Sequence, residues 1–203
     1  MKSRRPGRIG MFGGTFDPPH LGHLLLAECA RETLGLDRVV FVPARVAPHK
    51  VGRGMTPVEV RLRLLRAALR GTGFALSTLE VRRPGPSYTV DTLEALKRLY
   101  PEAELHLLVG ADSLLDLPTW RDPARILALA TLAVARRPGF RAARVSKAVR
   151  RRVRWLPNAP VEISASDLRA RVAEGRSIRF LTPPAVERLV ARLGLYQRGK
   201  TRS

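Results

Sequence analysis

The sequence predicts an α/β protein folded as one domain over residues 1–203: a Rossmann-like, doubly wound parallel sheet with helices on both faces. Three observations predict it. Short apolar segments alternate with stretches of helical periodicity, the pattern of successive βαβ units joined by right-handed crossovers. The first apolar segment breaks on a Gly-Gly pair and opens onto a helix. Finally, 203 residues with 45% hydrophobic and 27% charged side chains suffice for a real core and fall within the size of one domain.

In chain order, Arg8–Gly14 reads as an apolar strand, and apolar residues recur at helical spacing from Gly22 to Leu34. Arg38–Pro43 (RVVFVP) is a second buried strand, and Pro57–Arg70 an amphipathic helix stopped by Gly71. Phe74–Val81 is expected as a third strand, Thr89–Leu99 as a helix and Leu105–Val109 as a fourth strand. A short helix, Pro123–Ala130, precedes the strand Thr131–Ala135; Trp155–Ile163 is expected as the last strand, and Asp167–Ala173 and Pro183–Leu193 as helices. The basic run Arg141–Arg154 is either a mobile loop or a surface helix, and residues after about 197 are expected as a flexible tail. In such sheets ligands bind beyond the carboxyl ends of the strands, where strand order reverses. The loops after strands one, two and four are where chemistry is expected.

The most informative segment fills the first of those loops: Gly13-Gly14-Thr15-Phe16-Asp17-Pro18-Pro19-His20-Leu21-Gly22-His23. Glycines let backbone approach a ligand closely, and the helix start that follows offers unpaired N–H groups and the positive end of a dipole, both suited to phosphate. His20 and His23 are three residues apart at that start, so both imidazoles can point the same way. Together these features read as a phosphate clamp.

The segment resembles the signature of the nucleotidylyltransferase superfamily, with its H-x-G-H element. Further segments resemble bacterial nicotinate-nucleotide adenylyltransferases: Pro48-His49-Lys50, Ser87-Tyr88-Thr89-Val90-Asp91-Thr92, Gly110-Ala111-Asp112 with Trp120 eight residues on, and Ile163-Ser164-Ala165-Ser166-Asp167-Leu168-Arg169. The match runs in order from Gly13 to Arg169. Three positions depart from the usual pattern: Pro19 replaces an aliphatic residue, Ser166 a threonine, and Arg121 a tyrosine after the tryptophan.

The resemblance implies transfer of AMP from ATP to nicotinate mononucleotide. It implies His20, His23 and Arg169 as catalytic residues, and Gly13, Gly14, Thr15, Phe16, Gly110, Asp112, Ser164 and Ser166 with them as the ATP site. The mononucleotide would meet Thr15, His49, Lys50, Tyr88, Thr89 and Trp120. Mg2+ is expected as the ATP complex, with no dedicated metal site and no tightly bound cofactor, because no His/Cys/Asp cluster has ligand spacing. Several of these residues suit plainer roles as well: Ser87 and Thr89 cap a helix, Ser164 or Ser166 caps another, and Trp120 fits a core.

The net charge of +20 comes almost wholly from arginine, since Lys2, Lys50, Lys97, Lys147 and Lys200 are the only lysines. Arginine suits phosphate and is also the footprint of nucleic-acid binding. The arginines are nevertheless spread along the chain with few aromatics between them, as compositional bias would leave them, and no nucleic-acid partner is expected. A nucleic-acid-binding protein on this fold would leave the ordered motifs unexplained. A phosphopantetheine adenylyltransferase would share the phosphate loop but not the Ser87–Thr92 segment or Trp120. The one cysteine, Cys29, has no partner for an internal disulfide and lies in an apolar stretch. With no apolar run of membrane length and no signal-like start, a cytoplasmic protein with small-molecule partners is expected, as a monomer or a homo-oligomer.

Overall fold

The computed structural model describes residues 6–47, 55–135, 145, 147–157 and 162–197, the side chains of Asp112, Lys147 and Ala148 excepted. Among the described residues six parallel strands form one sheet: β1 (Arg8–Gly14), β2 (Arg38–Pro43), β3 (Ala75–Leu76), β4 (Glu104–Gly110), β5 (Ala130–Ala135) and β6 (Val153–Leu156). Their spatial order is β3-β2-β1-β4-β5-β6, so the chain winds outward from β1 to one edge, returns beside β1 as β4, and winds to the other edge. This is the Rossmann-like order, and the reversal lies between β1 and β4, which pair from Arg8↔Glu104 to Met11↔Leu107.

Alternation along the strands assigns the two faces. Ile9, Met11, Val40, Val42, Leu105, Leu107, Leu132 and Val134 point to a core completed by α4 (Thr89–Leu99) and α6 (Pro123–Leu129). Phe12, Val39, Phe41, Leu108 and Ala133 point the other way, toward α1 (Leu21–Leu34) and α2 (Val58–Leu69). The outer side of α2 carries Leu64 and Ala68 against α8 (Ala165–Ala173) and α9 (Pro184–Arg192), which supply Leu168, Val186 and Val190. The last part of the chain is thereby fastened to α2. Among the described residues no helix is long and apolar enough to cross a membrane.

Three expectations need correction. The third strand shrinks from Phe74–Val81 to Ala75–Leu76, because the Ser77 hydroxyl accepts from Leu79 N–H (3.3 Å) and turns the chain into a short helix, α3 (Leu79–Arg82). The last strand begins earlier than the expected Trp155–Ile163: it runs Val153–Leu156, pairs with β5 from Leu132↔Val153 and stops before Pro157, which has no N–H to donate, while residues 158–161 of the expected strand lie outside the described residues. The segment after β4 is helical: α5 (Ala111–Asp116) and a 3₁₀ turn, Leu117–Thr119, follow Gly110 directly. Within the basic run, α7 (Lys147–Arg150) and the start of β6 are described; residues 141–144 and those after 197 lie outside the described residues.

Candidate active site

At the end of β1 the chain must turn from the sheet into α1, and the glycine motif makes that turn. A Cβ on Gly14 would stand 3.1–3.3 Å from the Phe16 ring, so the glycine lets Phe16 fold back under the loop. Phe16, with a left-handed φ of +50°, is buried in an aromatic cluster with Phe12 and Phe41. That cluster is the floor on which His23 rests, 5.0 Å from Phe16 and 5.7 Å from Phe12 between ring centroids.

His20 caps α1 and is buried; its ring stacks on His23 at 3.6 Å, with 26° between the planes. A Cβ on Gly22 would lie 3.1 Å from His20 Nδ1, so the glycine between the histidines makes room for the first of them. His20 N–H donates to His23 Nδ1 at 3.1 Å. An accepting Nδ1 carries no proton, which leaves Nε2 as the donor of the His23 ring.

Both rings line a cavity of about 1230 Å³ at the carboxyl ends of the strands. Gly13, Gly14, Thr15 and Phe16 line it from the loop after β1, Gly110 from the end of β4, and Ser164, Ser166 and Arg169 from the start of α8. Tyr88, Thr89 and Trp120 line it from the start of α4 and the turn after α5. The volume exceeds the range of about 300–1,000 Å³ usual for a small-ligand pocket, leaving room for two nucleotide-sized molecules. Asp112 sits in the first turn of α5, and His49 and Lys50 lie outside the described residues. Ser164 caps α8 by accepting from Asp167 N–H (3.1 Å), while Arg169 donates to Ser166 Oγ (3.2 Å) and to the carbonyl of Asp17 (2.7 Å). Arg121 lies over the Tyr88 ring, 4.7 Å from its centroid, and its guanidinium is 4.0 Å from Asp91.

Two buried ionisable residues that the motifs do not reveal join the loops. Arg61 on α2 is 1% exposed and donates to three carbonyls: Thr15 (2.8 Å), Arg45 (3.1 Å) and Thr56 (3.0 Å). Burial pulls its guanidinium below the usual arginine value, while Asp17 pushes the other way. Glu80 on α3 lines the cavity and accepts from the hydroxyl of Thr92 (2.7 Å) and from Ser87; burial pushes its carboxyl up. Ser87 in turn accepts from Arg45 N–H (3.0 Å) and donates its own N–H to Val46 (2.9 Å), zipping the loop after β2 to the start of α4. The spacing 61, 64, 65, 68 places Arg61 on the apolar stripe of its helix, which is the signal that could have found it.

The end of the chain closes around the same loop. Leu181 accepts from Leu21 N–H (3.0 Å), Thr182 donates to the Pro19 carbonyl (2.7 Å), and the Tyr196 hydroxyl donates to Asp17 Oδ1 (2.6 Å). The Asp17–Pro18 peptide is cis.

The chain is similar to known proteins over most of its length. A model of the cytidylyltransferase-like family matches residues 11–171, which defines the class: the chain is a nucleotidyltransferase. A probable nicotinate-nucleotide adenylyltransferase of Thermomicrobium roseum is 54% identical over 197 residues, covering 94% of this chain and 92% of that protein. Another, of Thermus thermophilus, is 45% identical over 196 residues, covering 94% and 100%. Within its class, the chain belongs to the nicotinate-nucleotide adenylyltransferase family. Its fold is that of the Plasmodium falciparum nicotinic acid mononucleotide adenylyltransferase complexed with NaAD, which superposes with a TM-score of 0.78 at 17% identity, covering 93% of this chain and 97% of that one.

Proposed function

We propose that this enzyme transfers AMP from ATP to nicotinate mononucleotide, releasing pyrophosphate and nicotinate adenine dinucleotide in NAD biosynthesis. The observation that carries the reading is the stacked His20–His23 pair at the α1 N-terminus, inside a cavity whose walls also bear Trp120 and Thr89. The names of the relatives supply the acceptor.

A mononucleotide phosphate, with a second pKa of about 6 by analogy with phosphorylated side chains, is largely dianionic at neutral pH. It attacks the ATP α-phosphate directly and in line, with no general base. What remains for the protein is to bring two anions together and to stabilise the charge that moves onto departing pyrophosphate. His23 donates from Nε2, because its Nδ1 accepts from the His20 backbone N–H; two stacked cations would repel, so no more than one of the rings carries a charge. Thr15 and the backbone near Phe16 hold the reacting phosphates, and Gly13 and Gly14 admit them closely. Arg169, Ser164 and Ser166 receive the triphosphate tail. Gly110 and Asp112 meet the adenosine ribose.

At the acceptor end Trp120 stacks on the pyridine ring beside Tyr88. Thr89 and the N–H groups of the α4 start receive the nicotinate carboxylate, and His49 and Lys50 meet the mononucleotide phosphate. Arg121, held over Tyr88, brings a guanidinium to this end, and its charge favours a carboxylate over a neutral carboxamide. Magnesium, carried in on ATP, neutralises phosphate charge when bound. Phosphate oxygens and water would be its ligands.

The test is pyrophosphate release from magnesium-ATP with nicotinate mononucleotide, nicotinamide mononucleotide or phosphopantetheine. Turnover strongly favouring the nicotinate form is the expected result; turnover with another acceptor alone overturns the acceptor assignment. His20→Ala is expected to lower kcat by about 100-fold or more, as loss of a transition-state contact does. A loss within about twofold would remove His20 from the clamp.

A further inference from the structure

Asp17 is 4% exposed, and neither it nor Tyr196 lines the cavity. Every polar group of Asp17 beyond its own N–H nevertheless has a distant partner: Oδ1 takes the Tyr196 hydroxyl, Oδ2 the Thr56 N–H (3.2 Å), and the carbonyl the Arg169 guanidinium. We propose that Tyr196 is a positioning residue for the triphosphate end of the site, its hydroxyl fixing Asp17 and, through Asp17, both Arg169 and the loop leading to His20. This rests on the adenylyl-transfer reading above.

Two independent features support it. The hydrogen bond is short and goes to a buried carboxylate, the kind of bond that is strong and directional. Burial and Asp17 both raise the Tyr196 hydroxyl above its ordinary value, so it remains a donor throughout the working pH range. The second feature is backbone strain. Tyr196 has a left-handed φ of +64°, unfavourable for a residue with a side chain and persisting only where its surroundings impose it. Gly194 adopts the same region at no such cost two residues earlier. The strained residue is the one whose side chain lands on the phosphate loop.

The experiment uses the full chain with Tyr196→Phe, Asp17→Asn, their combination, and Tyr100→Phe as a control. Tyr100 also engages its hydroxyl, with Arg38 at 3.1 Å, but stands outside the site. Melting temperature, kcat, KM for each substrate and the calorimetric affinity for magnesium-ATP are measured. Tyr196→Phe is expected to weaken magnesium-ATP binding and kcat/KM for ATP roughly tenfold, with KM for nicotinate mononucleotide within about twofold of the parent. The combined variant should be no worse than the more impaired single one, since both remove the same link. Tyr100→Phe should match the parent. The inference is overturned if Tyr196→Phe binds magnesium-ATP like the parent, or weakens both substrates equally in step with a lower melting temperature. A parent that binds magnesium-ATP but never releases pyrophosphate with nicotinate mononucleotide refutes the adenylyl-transfer reading instead, while the calorimetric comparison still decides the role of Tyr196.

Discussion

Two glycines of the site answer to different demands. Gly22 is required by the protein itself, since any Cβ there meets the His20 ring. Gly110 is not: its φ of −75° suits any residue, and an added Cβ would meet nothing within 4 Å. Gly110 lines the cavity, so the space beside it is space for a ligand. Gly110→Ala should therefore keep the parent melting temperature while raising KM for ATP, and Gly22→Ala should lower kcat by displacing His20. Melting curves and steady-state kinetics on the two variants check both outcomes. At the residue scale the sequence reading rested on local motifs. The glycines, both histidines, Thr89, Trp120 and Arg169 were legible because each lies in a local motif, and all of them line one cavity. Asp17 and Tyr196 work through a contact 179 residues apart in the chain, and no local pattern announces such a contact.

Among the elements, α2 does more than cover the sheet. Arg61→Leu would leave three part-buried loop carbonyls without their donor, at an expected cost of about 3 kcal/mol, or roughly 10 °C in melting temperature for a domain of this size. Strand β4 carries a different liability. His106 is 4% exposed, with Nε2 3.2 Å from Glu104 but no aligned hydrogen bond, and burial lowers its pKa. The fold thus holds it neutral. Above the unfolded value of about 6.5 both states are neutral there and nothing is lost. As pH falls below that value the unfolded chain binds a proton that the fold refuses, and stability declines until the folded pKa is passed. Urea midpoints measured from about pH 7.5 down to 5 should show this decline, and His106→Leu should flatten it. The boundaries of β3 and β6 were the least legible part of the fold. An apolar run cannot show that the Ser77 hydroxyl will turn the chain, or that pairing with β5 begins at Val153.

For the whole molecule, the fold class was legible because alternation of period is a global signal, and the strand order follows it. The α8–α9 segment packs on α2, and α2 packs on the sheet, so we propose that the chain unfolds as one domain. Fluorescence of Trp120 and Trp155 and far-ultraviolet circular dichroism should report coincident single transitions; a separate early transition of the α8–α9 segment would contradict this.

The attachment of that segment to the loop after β1 also has a consequence in time. Translation makes the loop first. Arg169 is added 152 residues after Asp17, and Tyr196 179 residues after it. At roughly 5–20 residues per second, the loop waits about ten seconds or longer for the groups that hold it. On the roles proposed for Arg169 and Tyr196, a chain stalled before them carries the loop without the contacts that hold it, and is expected to stay idle toward ATP.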